Sequence, residues 1–204
     1  MEPKIQGPRA AFLLIFLIFS VACSSKSFLK VQYQLPSSTA GLEGRRVALQ
    51  FSDKRVDNMF LTPNAKKGLK DFDRTFSLIV LNADGTGNLV GVFELFPLLS
   101  EVFTHRLRNE GLEVSKVANE EDPTLEVVIN EFTLDLAKGK WIVKMNYTNH
   151  LIKDAKVRSS QTIDGTAERL KVTGKSDAEK ILGELLSDMV NRLDVQRLFQ
   201  QAGL

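Results

Sequence analysis

The sequence predicts an α+β domain: a mixed, mainly antiparallel sheet with two long helices packed on one face. Two apolar stripes at helical spacing and one long alternating stretch predict it. The first stripe is Leu99, Val102, Phe103 and Leu107, and the second is Leu182, Leu186, Met189, Val190 and Leu193. Between them Leu125, Val127 and Ile129 alternate with polar neighbours, as do Phe132, Leu134 and Leu136. Such period-two patterning marks strands with one buried face, and stripes at a period of 3.6 mark helices that cover them. Helices grouped on one side of an antiparallel sheet define the α+β class.

The N-terminal segment reads as a secretion signal. Lys4 and Arg9 lead into an apolar run from Ala10 to Ala22. That run falls short of the roughly 20 residues a spanning helix needs, and it has the flanks of a signal-peptide h-region. Residues 1–22 are therefore predicted to be a signal peptide. Cys23 is the only cysteine, so no internal disulfide accounts for it. Phe19-Ser20-Val21-Ala22-Cys23 resembles the bacterial lipobox, whose cysteine becomes the lipidated first residue; Ser20 stands where leucine is favoured. Buried acyl methylenes contribute about 0.8 kcal/mol each, so several chains on Cys23 would hold the domain at a bilayer with no spanning helix. Ser24, not aspartate, follows Cys23, which by resemblance to enterobacterial sorting favours the outer membrane.

Residues 23–38 read as a lipidated tether with a short leading strand, Val31 to Leu35, and residues 39–204 as one α+β globular domain. Val47, Leu49 and Phe51 share one face of a strand that ends at Ser52-Asp53-Lys54-Arg55. The polar stretch from Val56 to Asp73, broken by Pro63 and Gly68, reads as a long loop. Thr75 to Leu81 is an apolar strand closed by the turn-rich Asn82 to Asn88. Pro97 then suits the first turn of a helix, which Gly111 stops, and Leu112 to Val117 reads as a strand. Alternation changes parity between Ile129 and Phe132, which predicts a bulge near Asn130-Glu131. Lys138-Gly139-Lys140 is a hairpin turn, after which Trp141, Val143, Met145 and Tyr147 share a face. Lys153-Asp154 turns into a third strand, from Ala155 to about Ile163 with an extension towards Val172. Ser176-Asp177-Ala178-Glu179 has the spacing of a capping box at the start of the last helix.

The composition argues against several activities. A charge of only +2, from 27 basic and 25 acidic residues, supplies no broad positive field, so no nucleic-acid partner is expected. His105 and His150 lie in no metal-binding spacing, and neither a Gly-x-Ser-x-Gly elbow nor a Walker A loop is present. The glycines from Gly85 to Gly91 miss the dinucleotide fingerprint, and the stretch around Asn82 to Gly85 fails as a calcium loop at both charged ends, which fall on Val80 and Gly91. No catalytic residue, metal or cofactor is therefore expected, and the chain does not read as an enzyme.

The order of motifs is similar to the YajG-like family of bacterial lipoproteins, and more loosely to auxiliary lipoproteins of ABC-type lipid transport. The motifs are the lipobox, Tyr33 to Pro36, the strand ending in Asp53-x-Arg55, Leu107 to Val114, Leu125 to Phe132 and the terminal amphipathic helix. The resemblance implies a non-enzymatic, periplasm-facing module with no catalytic residues. The function expected of the chain is that of a binding or scaffolding lipoprotein of the Gram-negative envelope, anchored at the outer membrane, that assists lipid or outer-membrane transport. Its partners would be the membrane and another envelope protein or a lipid. The alternatives are a component of an envelope appendage or secretion system and, last, a lipid-anchored enzyme.

Three sets of residues are candidates for function: Cys23 for lipid attachment, Asp53 and Arg55 as a polar site, and Phe93, Leu95 and Phe96 as a partner or ligand surface. Gly91 to Leu99 holds more large apolar residues than one helical face can bury, so some of them face outward or line an opening. The competing reading is that Met59, Phe60 and Leu61 fold over this patch.

Overall fold

The computed structural model describes residues 27–70 and 72–204. The elements run β1 (Ser27–Gln34), β2 (Arg46–Asp53), α1 (Pro63–Gly68), β3 (Phe72–Leu81), β4 (Gly87–Phe93), α2 (Leu95–Asn109), β5 (Glu113–Ser115), β6 (Thr124–Ala137), β7 (Lys140–Lys153), β8 (Lys156–Leu170), α3 (Lys175–Asn191) and α4 (Val195–Ala202). The expected α+β class and pair of long helices are present, and the strands are shared between two sheets. Five strands pair in the order β5-β2-β6-β7-β8 and three in the order β1-β3-β4. β2 runs parallel to both β5 and β6, and β1 runs parallel to β3; the other pairings are antiparallel.

The β6–β7–β8 meander follows the sequence closely. Lys138 and Gly139 both adopt the left-handed region (φ 50° and 74°), as a two-residue hairpin turn requires. The register of β6 against β7 shifts between Ile129 and Glu131, where the alternation changes parity. That shift keeps Leu125, Val127 and Ile129 before it, and Phe132 and Leu134 after it, on the buried face. Trp141, Val143, Met145 and Tyr147 are buried opposite them. Asn130, Asn146, Thr148 and Thr162 hydrogen-bond to one another across the solvent side.

Both long helices lie on the buried face of the five-stranded sheet. On α2, Phe103 meets Phe51 of β2 edge to face at 5.6 Å and Tyr147 of β7 at 5.4 Å. Gly111, at φ 91°, ends α2: its N–H donates to Arg108 O and that of Leu112 to Leu107 O, which is the Schellman arrangement. α3 buries Leu182, Leu186, Met189 and Val190, and the Tyr147 hydroxyl donates to Met189 O at 2.8 Å.

α3 also serves the smaller sheet as a substitute for a neighbouring strand. β1 is an edge strand, and its outward N–H groups need partners. Glu179 accepts from Lys30 N and Ser187 from Gln34 N, both at 2.9 Å, while Asn191 donates to Gln34 O at 2.8 Å. These residues recur every fourth position with Gly183 between them, so they form one strip along the helix. A Cβ on Gly183 would stand 2.7 Å from Gln32 O, so only glycine lets the helix approach this closely.

Four local readings are corrected. The tether gives way to strand at Ser27, before Val31, because Leu29 is fully buried beside β3. The Val56–Asp73 stretch is not all loop: Thr62 caps α1 by accepting from Ala65 N, and Leu61 bridges to Leu134. Gly91 to Phe93 belongs to β4, and the helix starts at Leu95, which puts Pro97 third in α2. The cap of α3 uses Asp177, not Ser176 and Glu179. Its carboxylate accepts from the N–H groups of Val172, Thr173 and Gly174, while Glu179 is engaged with β1.

Candidate functional site

Asp53 ends β2 and Arg55 follows it immediately. The guanidinium folds back in a two-pronged contact, Nε to Oδ1 and Nη2 to Oδ2, each at 2.9 Å. The Arg55 backbone N–H also reaches Oδ1, at 3.2 Å. Paired, planar geometry of this kind is the strong form of an arginine–carboxylate contact. These hydrogen bonds hold the Asp53 carboxyl below the usual carboxylate range, against a smaller upward push from burial. The Arg55 side chain is only 5% exposed. Its flat face lies over Phe96, with Cζ 5.4 Å from the ring centroid, an arrangement the ring quadrupole favours.

Nη1 of Arg55 is buried and has no hydrogen-bond partner among the described residues. Buried guanidinium nitrogens are ordinarily satisfied, so this one is a candidate donor to a bound acceptor.

Arg55 and Phe96 line a cavity of about 490 Å³. Its apolar wall comes from three places: Met59, Phe60 and Leu61 before α1; Phe72 and Phe76 of β3; and Leu95, Phe96 and Pro97 at the start of α2. Phe60 is held edge to face between Phe76, at 5.3 Å, and Phe132, at 5.2 Å, so this wall is fixed to the core. Lys66, Arg74 and Glu94 stand among the remaining lining residues. The volume lies within the roughly 300–1,000 Å³ typical of small-molecule sites, which are mostly apolar with a few placed polar groups.

The structure brings most of the sequence candidates together. Arg55, Leu95 and Phe96 share this groove, and Asp53 orients Arg55 from behind. Phe93 is half-buried against the core and is not among the groove residues. The two readings of the Gly91–Leu99 patch meet here: Met59, Phe60 and Leu61 do come over to it, and an opening remains between them and α2. Sequence reasoning missed Phe72, Lys66 and Arg74, because nothing local signals that β3 and α1 border the same hollow. Cys23 lies outside the described residues.

A larger cleft of about 560 Å³ runs along the junction of β1 and α3. Lys30, Glu179, Lys180 and Glu184 line it with both signs of charge, and Glu179 is committed to the strand edge. His150 bonds Ser160 on the polar outer face of the sheet. Among the described residues no group of three or more His, Cys, Asp or Glu is placed to hold a metal ion, and no helix is long and apolar enough to cross a membrane.

No family model matches the chain, and no curated protein matches it in sequence. Solved structures do. A Xanthomonas campestris protein of the DUF330 family is 12% identical, with a TM-score of 0.53 over 87% of this chain and 95% of that one. Rare lipoprotein B from Shewanella oneidensis is 11% identical, with a TM-score of 0.39 over 76% and 93% of the two chains. A minor lipoprotein from Acinetobacter baumannii is 12% identical, with a TM-score of 0.32 over 79% and 93%. The chain shares its fold with the Xanthomonas protein.

Proposed function

We propose that the protein is a lipid-anchored, periplasm-facing binding lipoprotein of the Gram-negative envelope, and that its groove takes the apolar chain of a lipid. The groove supports this reading: an apolar hollow lined by a buried arginine, one of whose donor nitrogens has no partner among the described residues. An acyl chain would run along Phe60, Phe72 and Leu95 and bring its polar head to Arg55. Lipidated Cys23 would hold the domain at the outer membrane, in the manner of the YajG-like lipoproteins that its motifs resemble. The groove assembles no nucleophile with a base, so the protein is read as a binder and carrier, not an enzyme.

Cis-parinaric acid, an acyl probe that brightens when it leaves water, tests the groove. The full chain should bind it with a micromolar dissociation constant. Met59 is half exposed at the groove's lip, so Met59→Glu should place a charge against the chain without disturbing the core. It should weaken binding about tenfold or more, equivalent to about 1.4 kcal/mol, at an unchanged unfolding midpoint. Phe96→Ser should weaken binding similarly. Absence of binding by the wild type, or unaltered affinity in both variants, would contradict the proposal.

A further inference from the structure

Four lysines border one hollow where the described chain begins. Lys67, Lys70, Lys171 and Lys175 line it together with Leu29, Gly68, Leu69 and Phe72, and no acidic residue is among the described lining residues; Asp71, between Lys70 and Phe72, lies outside the described residues. They converge from different parts of the sequence: α1 and the segment after it supply two, the end of β8 and the start of α3 the others. Lys175 stands 5.7 Å over the ring of Phe28 and Lys171 5.9 Å over that of Trp141. Lys175 also pairs with Glu179 at 3.7 Å, which tempers its charge. Phe28, the residue under Lys175, is an exposed large apolar residue at 43%.

The position of this patch is fixed by chain length. β1 starts at Ser27, four residues after Cys23. Even a fully extended chain spans at most about 3.6 Å per residue, so Ser27 lies within roughly 14 Å of Cys23. With Cys23 in a bilayer, the lysine hollow is the part of the domain held closest to the lipid. The screening length at physiological salt is about 8 Å, so charges there feel a membrane's surface potential while those at the far end do not. The tip of the β7–β8 hairpin is that far end: β8 is 15 residues long, so Lys156 stands roughly 45 Å along the strand from Lys171.

We infer that this face docks on an anionic bilayer surface, with the four lysines over the headgroups and Phe28 at the interface. Lysines near such a surface each favour binding, and interfacial aromatic and aliphatic side chains add to it. Docking turns a flexible tether into a defined orientation. It also sets the acyl groove beside the membrane, because Phe72 borders both hollows. This inference rests on the lipid tether at Cys23 but not on occupancy of the groove.

Lysine acetylation read by mass spectrometry tests it on the full mature lipoprotein reconstituted in vesicles. One set is phosphatidylcholine alone, and the other contains an equal part of phosphatidylglycerol. Labelling of Lys67, Lys70, Lys171 and Lys175 should fall about threefold or more in the anionic vesicles, as expected where docking occupies most molecules. Lys156 should label equally in both, and high salt should restore labelling of the four. Retention on both vesicles with equal labelling of the four lysines would overturn the docking face while leaving the tether intact. A chain that washes off both vesicle types would overturn the tether, and the docking face with it.

Discussion

Glu110→Ala is expected to destabilise the fold by about 3–5 kcal/mol, the usual consequence of leaving a buried charge without its partner. Glu110 closes α2, and its side chain is 6% exposed beside that of Arg106 at 7%. One carboxylate oxygen accepts from Arg106 Nη1 at 2.5 Å; the other accepts from Thr39 and Gln196. Arg106 Nη2 donates to Leu193 O at 3.2 Å, and the Leu42 N–H donates to Glu110 O at 3.0 Å. The cluster therefore ties the end of α2 to the segment before β2 and to the α3–α4 junction. Replacing both charges, as Arg106→Met with Glu110→Leu, should recover part of the loss, since no buried charge is then left unpaired, although Leu193 O loses its donor.

The same carboxylate has a pH signature. Burial alone pushes the Glu110 carboxyl up, but hydrogen bonds from Thr39, Arg106 and Gln196 and the charge of Arg106 outweigh it and hold the group below its ordinary value. A depressed native value stabilises the fold fully above the unfolded carboxyl range, about pH 4.3. That contribution is lost as pH falls through the native value. Denaturant midpoints measured from neutral pH downward should therefore fall in the wild type. In Glu110→Gln the curve should start lower and descend less steeply.

Trp141→Ala is expected to have a comparable effect, about 3–5 kcal/mol, the range for removing a fully buried large aromatic. Trp141 is fully buried on β7, and its indole N–H donates to Gly174 O at 2.9 Å, just before α3. It also packs on α1, where a Cβ on Gly68 would stand 2.9 Å from the ring. Trp141→Phe should keep much of the packing and lose mainly the hydrogen bond, about 1 kcal/mol. Equal loss in both variants, measured by chemical denaturation, would show that the contact to Gly174 dominates over volume.

Legibility in the sequence tracked the range of the interactions involved. The β6 bulge could be read from Ile129 and Phe132 because side chains alternate strictly, so a slip leaves a trace in the sequence itself. The turn at Lys138-Gly139 and the stop at Gly111 were legible because backbone conformation there restricts the residue. β4 was not, since the register shift opposite Leu78 and Ile79 leaves Val90 of β4 as an extra, unpaired residue that breaks its alternation. With that alternation gone, Val90, Val92 and Phe93 suit a helix as well as a strand. α1 has six residues and buries only Ala65, too little to make a stripe.

The groove was legible only in pieces. Arg55 and Phe96 each stood out as residues, but no local pattern reports that a strand end and a helix start 41 positions apart meet at 5.4 Å. The strip of Glu179, Gly183, Ser187 and Asn191 looks like a solvated helix face until β1 is laid beside it.

The central claim is that this domain works from a lipid on Cys23, and intact mass spectrometry of the mature protein from membranes tests it most directly. The account predicts a chain that begins at Cys23 and carries a diacylglyceryl group on its sulfur. A mature chain that begins at any other residue, or one with an unmodified Cys23, would contradict it.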